Sequence, residues 1–154
     1  MHWNAEEVMN KKEELEHILH EENINICCIQ ETHLKKGKTF KIRGYQPFRW
    51  DRADRSKGGI LTLVRNNIDA SETAVHMEGA EYQMIRVKLN DTELHILNFY
   101  CPDNQPLSLS TINPQTQALL QLVTLTVTPR AGWTVKCIAE EKKWKTGKTN
   151  ITSS

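Results

Sequence analysis

Several things are missing from this sequence, and each absence narrows the reading. No run of about 18 apolar residues occurs, so no segment has the length and hydropathy of a bilayer-crossing helix, and no membrane partner is expected. The opening Met1-His2-Trp3-Asn4-Ala5 turns acidic at Glu6-Glu7, unlike the basic and then apolar start of a secretory signal. An intracellular protein, nuclear or cytoplasmic and not secreted, is therefore expected. The four cysteines contain no Cys-x-x-Cys spacing, which removes the usual zinc and redox frameworks. Cys27 and Cys28 are adjacent, so in a strand their side chains face opposite ways and cannot readily bridge. No Gly-Asp pair is present, no aspartate follows Asp103, and the last histidine is His95.

What is present suits one soluble globular domain: 154 residues, 38% hydrophobic and 25% charged. The net charge of +1 conceals a break. Residues 1–112 carry 14 Lys and Arg against 17 Asp and Glu, whereas residues 113–154 carry 6 against 2. The first segment alternates helical and strand-like patterns; the second is Thr-rich and poor in acid. A boundary near Ile112 is expected, followed by a divergent basic tail over 113–154 that is partly disordered toward its polar end.

Val8, Leu15, Ile18 and Leu19 form one apolar stripe, which predicts a helix over 5–22 with Asn4 as a possible N-cap and Asn23 as its end. Residues 24–30 are almost continuously apolar and predict a strand buried on both faces. From Lys35 to Lys57 charge and turn residues dominate. Gly58-Gly59 then leads into a strand over 60–64. Residues 82–89 and 92–99 predict an antiparallel pair joined by a tight Asn90-Asp91 turn. Gln117 to Val127 is apolar enough for either a strand or a buried helix. This order implies a mixed or antiparallel sheet with a flanking helix, and not a parallel doubly wound sheet.

Glu31 is the first candidate for chemistry. It ends a buried strand, where a carboxylate can hold a hard cation at the sheet edge, or simply pair with a nearby Lys or Arg. Its surroundings favour the former. Trp3-Asn4-Ala5, Gln30-Glu31-Thr32-His33, Ser56-Lys57-Gly58-Gly59 and Asn98-Phe99-Tyr100-Cys101-Pro102-Asp103-Asn104 follow one another in this order. Over about residues 2–112 the series resembles the endonuclease domain of non-LTR retrotransposons, a branch of the endonuclease/exonuclease/phosphatase superfamily. The resemblance implies an α/β fold, a four-layer sandwich of two facing sheets with outer helices, and hydrolysis of phosphate esters with Mg²⁺ or Mn²⁺. It also implies that Glu31 is the metal ligand, with Asn4 near the metal and its waters. Tyr100 would face the scissile phosphate, and Asp103 or Asn104 would fill the polar position after it. Bland alternatives stand beside these roles: Asn4 as a cap, Tyr100 as a half-buried packing residue, His33 as polar filler.

Departures from the pattern bear on activity. Glu6-Glu7-Val8 replaces the usual Gly-Leu pair, and the strand expected before Trp3 has no room. The family's Gly-Asp-Phe-Asn and Asp-His motifs have no counterpart in this chain. Removing one transition-state donor typically costs about 10²–10³-fold in rate, so a chain lacking three is expected to be catalytically incomplete. The alternatives are a non-enzymatic remnant with weak nucleic-acid affinity, or a fragment of a phosphatase branch. With about 110 residues of the pattern present, the second sheet is expected to be largely missing, leaving apolar strand faces exposed.

DNA is the expected partner, and Mg²⁺ or Mn²⁺ the expected, weakly held cofactor. Nine Lys and Arg residues lie between Lys35 and Lys57, interleaved with Phe40, Tyr45, Phe48 and Trp50. Such a stretch can follow a phosphate backbone and stack on bases. It can equally be a solvated loop with its aromatics tucked beneath. His17, His20 and Glu21 have helical metal-ligand spacing but belong to a charged face. Gly147-Lys148-Thr149 lacks the first glycine of a P-loop.

Overall fold

The computed structural model describes residues 1–52, 58–76, 81–101, 126–127 and 133–140. It is a mixed α/β structure with two sheets and one α-helix, a partial α/β sandwich. The first sheet contains β1 (His2–Asn4), β2 (Ile26–Gln30), β3 (Tyr45–Trp50) and β4 (Ile60–Arg65), in the order β1-β2-β4-β3. β1 pairs parallel with β2, and the other pairs are antiparallel, so this sheet is mixed. The second sheet is antiparallel throughout. It contains β5 (Asp69–His76), β6 (Glu81–Leu89), β7 (Thr92–Cys101), β8 (Thr126–Val127) and β9 (Trp133–Glu140), in the order β5-β6-β7-β9-β8.

The expected helix begins late. Residues 8–11 form a 3-10 turn, and α1 runs Lys12–Glu21. Glu6 and Glu7 take positive φ (43° and 79°), which ordinary side chains seldom adopt. Backbone bonds from Glu7 N to Glu31 O and from Val8 N to Thr32 O, both 3.0 Å, hold them there. Long-range pairing therefore overrides a local helical pattern. Asn4 is consequently no N-cap: it ends β1, opposite Gln30. The far end of α1 follows the sequence. Asn23 is left-handed (φ 48°), its N–H bonds His20 O at 3.2 Å, and Ile24 N–H bonds Leu19 O at 3.0 Å, a Schellman cap.

The first sheet is buried on both faces. On its helix side Cys27, Ile29, Leu61 and Leu63 pack against Val8, Leu15 and Leu19, with Phe40, Ile42 and Tyr45 closing the cluster. On the inter-sheet side Cys28 and Val64 meet Ile85, Val87 and Ile96. The two adjacent thiols thus serve opposite cores, both buried. Burial on both faces accounts for the continuous apolar run in β2.

Three expectations need correction. β1 exists where no strand had room, because parallel pairing to β2 needs only three residues. β3 and β5 were not read as strands: one carries Pro47 within a charged stretch, and the other, Asp69-Ala70-Ser71-Glu72, lacks an apolar alternation. The second sheet is present, and Ile60, Leu61, Leu63, Ile85, Leu97 and Phe99 are all almost fully buried. The predicted exposed apolar faces are therefore covered. The expected hairpin does form, with Leu89 opposite Thr92 and φ 54° at Asn90. Among the described residues, no helix is long and apolar enough to cross a membrane.

Two glycines hold the sheets at their common end. Gly58 and Gly59 take φ of 94° and 89°, and a Cβ on Gly59 would lie 2.7 Å from Thr32 Oγ1. Gly37 is equally left-handed (φ 86°) with open space around it. Gly37→Ala should therefore cost only the backbone term, about 1–2 kcal/mol. Gly59→Ala should cost more, because the overlap adds to it. Equal urea-unfolding midpoints for the two variants would contradict a tight approach at Gly59.

Candidate functional site

The functional candidates gather where β1, β2 and the start of β4 run out together. Residues 31–33 are gripped from both sides. Glu31 O and Thr32 O accept the bonds from Glu7 and Val8, while Thr32 N and His33 N donate to Gly59 O and Gly58 O at 3.2 and 2.9 Å. Within that grip Glu31 and His33 take positive φ, 49° and 50°. A non-glycine residue in this region costs on the order of 1–3 kcal/mol, and such costs concentrate where side-chain aim matters. Here the strained turn lifts the Glu31 side chain off the end of β2 toward the second sheet.

Tyr100, near the end of β7, meets it there. Its hydroxyl donates to Glu31 Oε1 across 69 residues of chain, in a short bond. Tyr100 is only 8% exposed. Burial first, and then the bond and negative charge of Glu31, push its phenol well above the usual range, so it remains protonated and a donor. Asn4 ends β1 beside the end of β2. Its Oδ1 is buried and finds no hydrogen-bond partner among the described residues. An unpaired buried acceptor costs about 1–3 kcal/mol, and an oxygen so placed suits a cation or a water as partner. Asp103 and Asn104 lie outside the described residues.

One participant escaped the sequence reading. Glu81 starts β6, is fully buried, and faces the same end of the sandwich. Its Oε2 accepts from Gly59 N at 2.9 Å and its Oε1 from Arg52 Nε. Burial pushes the carboxyl up, Arg52 and the Gly59 N–H oppose this, and the nearby Glu31 charge adds to the rise. A signal existed in the period-2 series Glu81-x-Gln83-x-Ile85-x-Val87. It places polar and apolar residues on one face, so the polar end had to be paired or functional.

The basic-aromatic stretch separates into parts. Phe40 and Tyr45 are buried, Phe48 packs between the sheets, and Trp50 alone of the four is exposed, at 42%. Tyr45 donates to Leu19 O at 3.1 Å. Arg49 binds Asp51 and the carbonyl oxygens of Lys35 and Lys38, so its charge is committed to the fold. Lys35, Lys36, Lys38, Lys41 and Arg43 remain at the surface. His20 Nε2 lies 3.1 Å from Arg43 O, and the ring packs edge-on to Tyr45. Among the described residues, no three His, Cys, Asp or Glu side chains are grouped to hold a metal ion.

A fold of two facing sheets, with a carboxylate and a phenol hydrogen-bonded at one end and a buried carboxamide on the neighbouring strand end, defines a polar end-of-sandwich site. No family model matches the chain. The chain is similar to a probable RNA-directed DNA polymerase from transposon BS of Drosophila melanogaster, 25% identical over 103 residues. That alignment covers 64% of this chain and 11% of the transposon protein, so the chain spans about a tenth of its relative's length. The similarity points to a retrotransposon-related protein.

The raised Glu81 carboxyl has a consequence for stability. An acid whose folded pKa exceeds its unfolded value ionises first in the unfolded chain. Stability is therefore greatest below the ordinary carboxylate range and falls as pH rises through the window up to the raised value. Glu81→Gln removes the titration. Wild-type protein should lose stability relative to Glu81→Gln as pH rises through that window, read as the difference between urea midpoints. A difference independent of pH would show that the carboxyl is not raised.

Proposed function

We propose that this chain is the N-terminal part of a metal-dependent DNA endonuclease domain of the retrotransposon type, carrying a cation-and-phosphate half-site without the full catalytic set. The observation that carries this reading is the hydrogen bond from Tyr100 to Glu31 at the end of β2, beside the strand end where Asn4 stands opposite Gln30. Their resemblance to the family motifs and the transposon relative support it.

The donors suit a hard divalent cation. Glu31 and the unpaired Asn4 Oδ1 are oxygen ligands, the type Mg²⁺ and Mn²⁺ prefer, with water completing the shell. Such an ion, when bound, would neutralise charge on phosphoryl oxygens. Glu31 would anchor it, and Asn4 would hold it or one of its waters. Tyr100, protonated well beyond neutral pH, would turn its one O–H from Glu31 to a phosphate oxygen once a cation takes the Glu31 oxygens. The exposed lysines of 35–41 and Trp50 provide charge and one stacking surface for a polynucleotide.

Hydrolysis asks for more. The Gly-Asp-Phe-Asn and Asp-His motifs have no counterpart in the 154 residues, which leaves no aspartate to orient the nucleophile and no histidine for the phosphate. The expected result is binding without efficient cutting. Mn²⁺ binding, followed by electron paramagnetic resonance, should weaken at least tenfold in Glu31→Ala. Supercoiled plasmid should remain intact with Mg²⁺ or Mn²⁺. Equal Mn²⁺ binding by both proteins would remove the cation role. Nicking that disappears with EDTA and in Glu31→Ala would instead show a complete enzyme.

A further inference from the structure

The sandwich interior changes character along its strands. Toward one end it is apolar, with Cys28, Val64, Ile85, Val87 and Ile96. Toward the candidate site the same faces become Gln30, Thr62, Gln83 and Asn98, all fully buried. Asn98 is the junction. Its Nδ2 lies 3.1 Å from Leu61 O, 3.3 Å from Ile29 O and 3.2 Å from Thr62 Oγ1. Carbonyl oxygens only accept, so Nδ2 must be the donor end of the amide, and Oδ1 is left to accept from Gln30 Nε2. Thr62 Oγ1 passes the chain on by donating to Gln83 Oε1 at 2.7 Å, and Gln83 Nε2 donates to Glu72.

Stability alone is a poor account of this arrangement. Among the described residues Gln30 Oε1 is buried without a partner, at a cost of about 1–3 kcal/mol that an apolar side chain of the same size would not carry. What the network does is geometric. Gln30 immediately precedes Glu31, and Asn98 stands two residues before Tyr100 on the same face of β7. The amide therefore ties the last residues of β2 to β7 one pleat from where Glu31 and Tyr100 meet.

We propose that Asn98, acting through Gln30, is a positioning residue that sets the Glu31–Tyr100 contact from within the sandwich and touches no substrate itself. The proposal takes its functional meaning from the endonuclease reading, yet it concerns a contact that can be observed with neither metal nor DNA. Failure of cation binding and failure of positioning are therefore separate results.

The test uses the full chain with its three tyrosines labelled at the hydroxyl-bearing ring carbon, followed by NMR. Glu31→Gln should shift the Tyr100 resonance, assigned through Tyr100→Phe, and leave Tyr45 and Tyr82 in place. In an Asn98→Leu background that response should shrink to the level of the two reference tyrosines. Gln30→Met is the gentler variant, since it removes one donor at nearly constant volume, and there the response should fall to about half or less. An undiminished Tyr100 response in a folded Gln30→Met or Asn98→Leu protein overturns the proposal. So does loss of the fold in Gln30→Met, because the network would then be a requirement of folding and not of the site.

Discussion

A carboxamide enclosed between two sheets must find partners for both of its ends, and Asn98 does so only where β2, β4 and β7 come together in one register. Two carbonyl oxygens, a threonine hydroxyl and a glutamine amide converge on it. Inside a low-dielectric core each of those bonds is individually strong, and each unmade one is costly. Apolar packing at the other end of the sandwich would tolerate small slides between the sheets. This junction would not, since a slip of one residue would strand four polar groups at once.

The site at the adjoining end inherits that precision. Its second support is the strained turn at 31–33, held between the backbone of residues 7–8 and of the two glycines. Neither support is local in sequence. Glu31 leaves β2 in a left-handed conformation that its own propensity disfavours, and it meets a phenol that burial keeps protonated. Glu81 lies below, fully enclosed, with its two oxygens taken by Arg52 and Gly59. The result is a carboxylate-bearing, hydrogen-bonding end to a sandwich whose other end is apolar.

The similarity to a transposon-encoded protein of much greater length fits this picture. On the proposed reading, an endonuclease half-site would keep its first carboxylate, tyrosine and asparagine and lack the groups that orient the nucleophile and hold the phosphate. In-line phosphoryl transfer depends on several groups acting together, so partial sites bind far better than they cut. The architecture nevertheless folds both sheets against each other. Its hydrophobic core is accordingly closed between the two sheets over the described residues.

Local patterns in the chain were sufficient for much of the architecture. The apolar run of β2, the strand after Gly58-Gly59, the Asn90-Asp91 hairpin and the Asn23 helix end all follow from side-chain periodicity and turn chemistry, which act between near neighbours. Glu31 and Tyr100 were legible as candidates from motif order. Tertiary structure alone decided the rest. It turned residues 5–7 from helix into a left-handed turn that grips Glu31 and Thr32, and moved Asn4 from a cap to a strand end. It drew β3 and β5 into strands that their own sequences do not announce, and placed Glu81 beneath the site. In each of these cases the deciding partner lies on another strand or segment, between 6 and 29 residues away. A hydrogen bond across that distance outweighs propensities worth only a few tenths of a kcal/mol to about 1 kcal/mol per residue.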